Sequence, residues 1–377
     1  MNRHLLTLLA ALLASLATPP VAALPIGTPY AFSKSVPLGG TFERIRYLGA
    51  VRLSDAKVDG FEAHELSGLA WDADEGLLYA VSDNGYLVHL RPEFQDGNLT
   101  GMDMVAAYPL QAKDGARLKE KDADGEGLAI LNGNNGKKGD TELAVSFELR
   151  PRIARYRPDG SWLGDVELAP ALVTGKYAGK NSALEGLTHH PRLGFLTLPE
   201  RPLVGDDPSR FTLYGMHGER WTFPPLDPEF SMATGLETTP EGDVVLLERR
   251  YRNMFSPIYF ALRLLHFPPG TDKGGELTVD EIVAFSTSDD WRIDNFEGVA
   301  LHEKNRYFLV SDDNTSAVQK TIIVYVEVLP KSAGSPPAHT PSNGQGDPGD
   351  NGKEDDSKGT SPAAKDAVKD AAAGAKD

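Results

Sequence analysis

The chain has 377 residues and no cysteine, and its 54 acidic and 38 basic side chains give a formal net charge of −16 at pH 7. The lack of cysteine excludes disulfides and thiolate metal sites, so any metal must bind to oxygen or imidazole. So acidic a chain lacks the basic surface that attracts a phosphate backbone, and we expect no binding to nucleic acid. An acidic body suits solubility and divalent cations instead.

The first 23 residues have the pattern of a secretory signal peptide. Arg3 and His4 precede an apolar run over 5–16, and small residues at 21–23 provide a cleavage site. The run is too short for a stable membrane span, although a membrane anchor is the alternative interpretation. We therefore expect a periplasmic or secreted protein with no membrane span, in which residues 24–42 lead into the folded part.

A short motif that recurs five times between residues 43 and 330 predicts the fold. In each copy a glycine followed by Leu or Val opens one strand, and an apolar run that ends in an acidic residue follows it. A repeat of roughly 50–60 residues built of strands and turns is typical of a β-propeller. The sequence therefore predicts an all-β protein with a β-propeller fold. The glycines are Gly68, Gly127, Gly186, Gly235 and Gly298.

Turn residues such as Asp-Asn-Gly at 83–85 and Pro-Asp-Gly at 158–160 separate the predicted strands. The last repeat supplies only three strands, and we expect residues 42–53 to add the fourth, so that strands from both termini close the ring. Five blades are predicted; six is the alternative, because the irregular repeat spacing leaves room for a degenerate blade. The predicted strands are 42–53, 66–71, 78–82, 86–91, 104–110, 127–131, 143–147, 153–157, 164–168, 234–238, 244–248, 259–266, 277–285, 298–301, 307–311 and 321–329.

Residues 331–377 differ in composition from the rest of the chain. Pro, Gly, Ser, Asp, Lys and Ala dominate this segment, and it has no aromatic residue. Such a segment buries too little apolar surface to offset the entropy lost on ordering, so we expect a disordered low-complexity tail. The propeller then spans residues 43–330, and we expect a monomer.

The repeat geometry predicts a ring of acidic residues at one end of the channel. In a propeller, the start of the innermost strand and the end of the second strand share the same face. The first of these positions holds Glu126, Glu185 and Glu297, with Ser67 and Thr234 in the other two repeats. The second position holds Asp83, Glu148, Glu200, Glu248 and Asp312. Arginines follow closely in sequence and include Arg150, Arg152, Arg249 and Arg250.

Three sets of motifs resemble the phytase-like propeller family known for the esterase-like activity of phytase. They are the Glu-Gly-Leu/Val strand openings, Ser-Phe-Glu-Leu-Arg-Pro-Arg-Ile at 146–153, and Ser-Asp-Asp-Asn at 311–314. The resemblance covers residues 43–329 and implies a β-propeller with an exported, phosphoesterase-like hydrolase activity. The chain is more distantly similar to the alkaline propeller phytases, which hold a polyphosphorylated substrate in a calcium-lined acidic channel.

Carboxylates gathered at one channel mouth repel each other unless they are protonated, paired with arginine or bound to a cation. Calcium accepts six to eight oxygen ligands in flexible geometry, so Ca²⁺ is the predicted cofactor. The alternative is that each carboxylate pairs with an arginine or caps a loop amide and only stabilises the ring. Asp122 and Asp124 are additional candidate ligands. The predicted ligands are Asp83, Glu126, Glu148, Glu185, Glu200, Glu248, Glu297 and Asp312.

The predicted activity is metal-assisted hydrolysis of a small anionic substrate, such as a phosphate ester. Glu126, Glu185 and Glu297 are the predicted catalytic residues. No serine-nucleophile elbow and no His-Glu-x-x-His motif is present. A non-catalytic propeller that binds a ligand or envelope component and a calcium-dependent lactonase-like hydrolase remain alternatives, so the assignment as an enzyme stays open. The predicted substrate-binding residues are Arg150, Arg152, Arg249 and Arg250.

The histidines at 189, 190 and 302 are predicted to have a structural role. They fall at the far end of the innermost strands, a strand's length from the acidic ring. We therefore expect them to form turns rather than to bind a metal.

Overall fold

The computed structural model describes residues 23–331 except 175, 180, 181, 254, 255, 315 and 317. The predicted signal peptide and the predicted tail therefore lie outside the described residues, apart from residues 23 and 331. The described part is nearly all β, with one short α-helix, α1 (Pro170–Thr174), and two 3₁₀ turns at Glu120–Asp122 and Thr287–Asp289. Within it, no helix is long and apolar enough to cross a bilayer.

The first strands in the chain are β1 (Leu24–Pro29), β2 (Thr41–Phe42), β3 (Ile45–Leu53), β4 (Lys57–Val58) and β5 (Phe61–Glu62). The first repeat forms β6 (Leu66–Asp72), β7 (Leu77–Ser82), β8 (Tyr86–Gln95) and β9 (Asn98–Pro109). The second forms β10 (Gly125–Leu131), β11 (Glu142–Phe147), β12 (Arg152–Tyr156) and β13 (Trp162–Val166).

The third repeat forms β14 (Leu184–His190), β15 (Gly194–Pro199), β16 (Phe211–Gly215) and β17 (Arg220–Phe223). The fourth contributes β18 (Ser231–Thr238), β19 (Val244–Arg250), β20 (Tyr259–His266), β21 (Gly275–Glu276) and β22 (Thr278–Ser286). The fifth contributes β23 (Asn295–Glu303), β24 (Arg306–Asp312) and β25 (Ile322–Val328).

The main strands of each repeat pair antiparallel in chain order, and the last repeat is completed from the N-terminus. The exception is the short strand β21, which pairs in parallel with β17 of the third sheet, so that β20 pairs with β22. Strand β3 pairs with β25, with Val51 opposite Ile323 and Ala50 opposite Val324. This confirms the predicted closure by strands from both ends of the chain. Strand β1 was not predicted; it pairs with both β3 and β9 and joins the last sheet to the first.

The innermost strands, β6, β10, β14, β18 and β23, pack against one another in cyclic order, and β23 returns to β6. This arrangement is that of a β-propeller, as the repeat predicted. One innermost strand from each repeat lies around the axis in the part of the chain that the structure describes. The choice between five and six blades stays a prediction.

In four of the five repeats, the recurring glycine is explained by a close backbone approach between neighbouring innermost strands; at the fifth, Gly186, a Cβ atom would instead meet the side chain of Leu236 at 2.8 Å. A Cβ atom at Gly127 would lie 2.6 Å from the carbonyl oxygen of Glu185 and 2.7 Å from the amide nitrogen of Leu187, closer than any side chain tolerates. Equivalent contacts join Gly68 to the Glu126 carbonyl at 2.7 Å, Gly235 to the Glu297 carbonyl at 2.5 Å and Gly298 to the Ser67 carbonyl at 3.0 Å.

Apolar side chains fill the space between adjacent sheets. Between the fourth and fifth sheets, the centroid of the Phe260 ring lies 4.6 Å from the centroid of Phe285 and 4.5 Å from that of Phe296. The fully buried Phe32 packs against the same rings, so the segment after β1 is anchored in this core. Each such side chain stabilises the fold by roughly 1.5–3 kcal/mol.

We predict that Gly127→Ala lowers the free energy of unfolding by roughly 1–3 kcal/mol or more, because the added methyl group meets backbone atoms that cannot move alone. Urea denaturation measures the change. Gly125→Ala is the matched control in the same strand, since its Cβ would meet only the methyl groups of Val81 and Val145 at 3.0 and 3.1 Å. Equal stability of the Gly127→Ala variant and the native protein would contradict the close approach.

Candidate functional site

A β-bulge recurs at the start of every innermost strand and places the first set of ring residues. In β14, for example, Leu184 pairs with Pro199 and Gly186 with Leu198, so Glu185 is the extra residue. A bulge of this kind re-aims the side chain of the extra residue. The same irregularity occurs in β6, β10, β18 and β23. The residues that it places are Ser67, Glu126, Glu185, Thr234 and Glu297, all between 1% and 5% exposed.

The pairing of the second strand of each repeat with the innermost strand places the acids predicted at the end of that second strand. Asp83 directly follows Ser82, the partner of Leu66, and Asp312 directly follows Ser311, the partner of Phe296. Glu148 and Glu200 occupy the same position in the second and third sheets.

In the fourth sheet the pairing corrects the predicted position of Glu248. Glu248 itself pairs with Ala233, so the residue equivalent to the acids of the other sheets is Arg249. Successive residues of a strand point to opposite faces of the sheet. The side chain of Glu248 therefore points to the face opposite to that of Arg249. It is fully buried, accepts a hydrogen bond of 2.7 Å from the amide of Leu226 and pairs with the guanidinium of Arg263. These contacts give Glu248 the structural role that was the alternative for the whole ring.

The ten ring positions thus hold seven acidic residues, Arg249, Ser67 and Thr234. Arg249 lies between two of the acids: its Nη1 is 3.4 Å from Oε1 of Glu297, and its Nη2 is 3.8 Å from Oε1 of Glu200. Ser182 also donates a hydrogen bond of 3.0 Å to Glu200. Seven carboxylates at these positions concentrate negative charge at one end of the innermost strands, which a bound cation would reduce.

Ser67 joins two acids that belong to neighbouring sheets. Its hydroxyl oxygen lies 2.5 Å from Oδ1 of Asp83 and 3.1 Å from Oε2 of Glu297. A hydroxyl has a single proton to donate, so the two contacts are both hydrogen bonds only if one of the acids is itself protonated. The contact thus brings two carboxylate oxygens from neighbouring sheets to one hydroxyl group.

The pKa values of two ring acids, Asp83 and Asp312, are raised by their surroundings. Burial, and then the carboxylates of Asp312 and Glu297, raise the pKa of Asp83 well above its usual value. Burial and the neighbouring Glu297 raise the pKa of Asp312 in the same direction. Burial and the neighbouring acids thus disfavour the charged form of both side chains, and a nearby cation would favour it.

Asp83, Asp124 and Glu126 form the group with the geometry of a metal site. Each offers one carboxylate oxygen, and these oxygens all lie within 4.8 Å of one another. Ligands that bind one calcium ion at 2.3–2.6 Å can be no more than about 5 Å apart, so the three oxygens fit around a single ion. Asp122, the other candidate in this segment, instead receives Nη1 of Arg150 at 2.7 Å on each of its oxygens.

The arginines predicted to bind substrate are engaged by protein groups. Besides the contacts of Arg150 and Arg249, Arg152 stacks on Phe147, with its guanidinium carbon 3.6 Å from the ring centroid, and donates to the backbone oxygen of Asp122. Arg250 lies over the ring of Tyr259 at 4.0 Å. Arg150 and Arg152 thus fix the loop that carries Asp124, and a role for the four arginines in binding substrate stays a prediction.

Sequence reasoning missed a cavity of about 270 Å³ that opens beside Asp83. Arg117 and Lys119 line it together with Asn84. They belong to the connection between β9 and β10, which lies outside the repeated motif, and no sequence signal marks them as site residues.

His190 has the turn-forming role that was predicted for it, whereas His302 lies within strand β23. Nδ1 of His190 accepts hydrogen bonds from the amides of Arg192 and Leu193 at 3.0 and 3.1 Å, which leaves Nε2 to donate to the carbonyl of Gly242 at 3.0 Å. His190 therefore forms a turn and ties the third sheet to the fourth. His302 hydrogen bonds to the hydroxyl of Tyr325 at 2.6 Å.

Glu237 is an acidic residue on an innermost strand at the position where β6, β10 and β23 have alanine. Burial raises its pKa to about 8, although a hydrogen bond with the backbone of Leu301 acts in the opposite direction. The folded protein thus keeps this proton in a pH range where the unfolded chain, with a pKa near 4.5, has lost it. The stability that the protonated group contributes therefore falls as the pH rises from about 4.5 to 8.

We predict that Glu237→Gln flattens the decrease in unfolding free energy between pH 5 and pH 8 by roughly 1–3 kcal/mol, because glutamine cannot ionise. Urea denaturation at a series of pH values measures it. Glu241→Gln, in the turn that follows β18, is the control for loss of an acidic side chain. A native-like pH profile in Glu237→Gln would contradict the raised pKa.

Many solved structures are similar to this chain. The solved structures that are similar include a gluconolactonase, XC5397 from Xanthomonas campestris, with 13% identity, coverage of 82% of this chain and 99% of that chain, and a TM-score of 0.37. They also include the β-propeller domain of Cps50 (Swd1) from Myceliophteria thermophila, with 10% identity, coverage of 81% and 99%, and a TM-score of 0.34. Similarity this low bears on neither substrate nor activity.

No curated protein matches the chain. The family model described as "Phytase-like: Esterase-like activity of phytase" matches residues 62–315, which is more than half of the sequence. The matched segment contains all five glycine motifs and every member of the acidic ring. The chain therefore belongs to the phytase-like family.

Proposed function

We propose that the chain is an exported hydrolase, a calcium-assisted phosphoesterase that acts on a small anionic substrate at the acidic end of the channel. The observation that carries the proposal is the group of Asp83, Asp124 and Glu126, whose oxygens lie within 4.8 Å of one another. Family membership supports the hydrolase class.

Asp83, Asp124 and Glu126 would hold the ion, since hard carboxylate oxygens are the ligands that calcium prefers. The raised pKa of Asp83 fits this role, because the negative charge that burial and neighbouring acids disfavour is the charge that a cation stabilises. Calcium, when bound, supplies Lewis-acid polarisation of a phosphoryl oxygen and neutralises charge on the ester.

The rest of the ring positions these ligands. Ser67 hydrogen bonds to Asp83 and so fixes the direction of one carboxylate oxygen, while its contact with Glu297 links the site to the neighbouring sheet. Arg249 contacts Glu297 and also Glu200. In this arrangement Glu126 and Glu297 would lie beside the bound substrate. Glu185 is placed by the equivalent bulge in β14 and is the third predicted catalytic residue.

The arrangement divides the ring into two parts with different chemistry. Around Arg249, carboxylates already have a guanidinium partner, which is the structural role considered as the alternative. Around Asp83, acidic side chains face each other within bonding range of one ion. We therefore place the metal in the part of the ring formed by the first and second sheets.

The proposal predicts opposite effects of Asp83→Asn with and without calcium. Without calcium at pH 7.5, the variant should be more stable than the native protein by roughly 1 kcal/mol, because it removes repulsion with Asp312 and Glu297. With calcium at about 100 times its Kd, the native protein should gain roughly 3 kcal/mol and the variant much less. Differential scanning calorimetry of the metal-stripped protein, with and without calcium, measures both effects.

Asp122→Asn is the matched control, because this acid lies in the same loop but pairs with Arg150. The native protein and this control should also hydrolyse p-nitrophenyl phosphate in a calcium-dependent manner, and Asp83→Asn should not. The absence of any calcium effect on the native protein would refute the metal site and favour the non-catalytic binding propeller. A calcium effect accompanied by turnover of a lactone alone would favour the lactonase-like alternative.

Export is the remaining part of the proposal and rests on residues 1–23. The chain recovered from the periplasm or the culture medium should begin near residue 24, which N-terminal sequencing tests. An intact N-terminus in that fraction would contradict cleavage at 21–23.

A further inference from the structure

The cavity beside Asp83 carries basic side chains where the ring itself is acidic. It has a volume of about 270 Å³ and is lined by Asp83, Asn84, Arg117, Lys119 and Glu120, among others. This size is at the lower end of the range for small-molecule sites, about 300–1,000 Å³. Asp83 belongs both to the cavity and to the proposed metal group, so a ligand in the cavity lies next to that group.

Arg117 and Lys119 have no ionic partner in the part of the chain that the structure describes. Arg117 only lies over the ring of Phe61, with its guanidinium carbon 5.1 Å from the centroid. The arginines elsewhere on this face differ, since Arg150 pairs with Asp122 and Arg249 with Glu297. Although Asp83 and Glu120 also line the cavity, neither forms an ion pair with these two cations, which can therefore bind an anion.

The loop that presents these cations is held in place by its own contacts. The amide of Leu118 donates to the carbonyl of Leu110 at 2.8 Å, and the Leu118 side chain is buried between the two basic residues. Arg150 and Arg152 both bind Asp122, three residues beyond Lys119. The loop backbone that carries Arg117 and Lys119 is therefore fixed beside the cavity, which lowers the backbone entropy lost when a ligand binds.

We propose that this cavity is the anion subsite of the enzyme, in which Arg117 and Lys119 bind a phosphate group of the substrate. A guanidinium matches two phosphate oxygens at once, and a lysine adds a point charge. This inference rests on the proposed function for its place in catalysis, and it names the residues that select a phosphorylated small molecule over a neutral ester.

The test compares the full-length protein with an Arg117→Ala/Lys119→Ala variant and with Lys121→Ala. Lys121 carries the same charge in the same loop but does not line the cavity. Isothermal titration with inorganic phosphate, without calcium, measures binding directly; steady-state kinetics with p-nitrophenyl phosphate and p-nitrophenyl acetate separate KM from kcat. Calorimetry with calcium shows whether each variant keeps its fold and its metal site.

We expect the double variant to bind phosphate roughly tenfold more weakly or worse, and to show a similar rise in KM for the phosphate ester with little change in kcat. Lys121→Ala and the response to calcium should stay native. Arg117→Lys should recover part of the binding, because it restores charge without the bidentate geometry.

Two results would overturn the inference. One is that the native protein binds no phosphate, and the other is that the double variant binds it as tightly as the native protein does. If phosphate binding depends on Arg117 and Lys119 but calcium has no effect on the native protein, then the subsite stands and the proposed metal-assisted function fails.

Discussion

The close approach of neighbouring innermost strands is the constraint on which the rest of the structure depends. At each contact a glycine faces the strand of the next sheet, and at Gly127 there is no room for even one methyl group beside the Glu185 carbonyl. The contact between Gly298 and the Ser67 carbonyl joins the last sheet to the first. Because each strand is fixed against the next, a residue at one repeat position is brought near its equivalents around the axis.

The bulge that precedes each glycine converts this packing into a polar site. It places an additional residue at the channel end of the strand, and in three sheets that residue is a glutamate. The cost is a set of buried carboxylates that repel each other, which the raised pKa values of Asp83 and Asp312 express. A fold seldom keeps such a cluster for stability alone, since a buried charge without a counter-ion is strongly unfavourable.

Much of this architecture follows from the sequence. The spacing of the Gly-Leu steps predicted the propeller. Asp83 and Asp312 directly follow the partners of Leu66 and Phe296, which is the repeat position that the apolar runs predicted for them. The error at Glu248 has a simple cause. An apolar run marks the end of a strand only to within one residue, and a shift of one residue moves a side chain to the opposite face.

Other features have no signal in the repeat. Strand β1 and the burial of Phe32 depend on pairing and packing with segments distant in sequence. Arg117 and Lys119 lie in a connecting loop, whose path depends on tertiary contacts such as those of Asp122 with Arg150 and Arg152. The partners of the predicted arginines also depend on the path of this loop. For this reason, closeness in sequence to the ring acids did not indicate which basic side chains face the cavity.

The measurement that tests the central claim most directly is anomalous X-ray diffraction from crystals of the protein grown with terbium, an oxygen-seeking substitute for calcium. We predict one strong anomalous peak within bonding distance of carboxylate oxygens of Asp83, Asp124 and Glu126. A ring with no peak, in which neighbouring carboxyl groups hydrogen bond to one another through shared protons, would contradict the claim that these acids form a metal site.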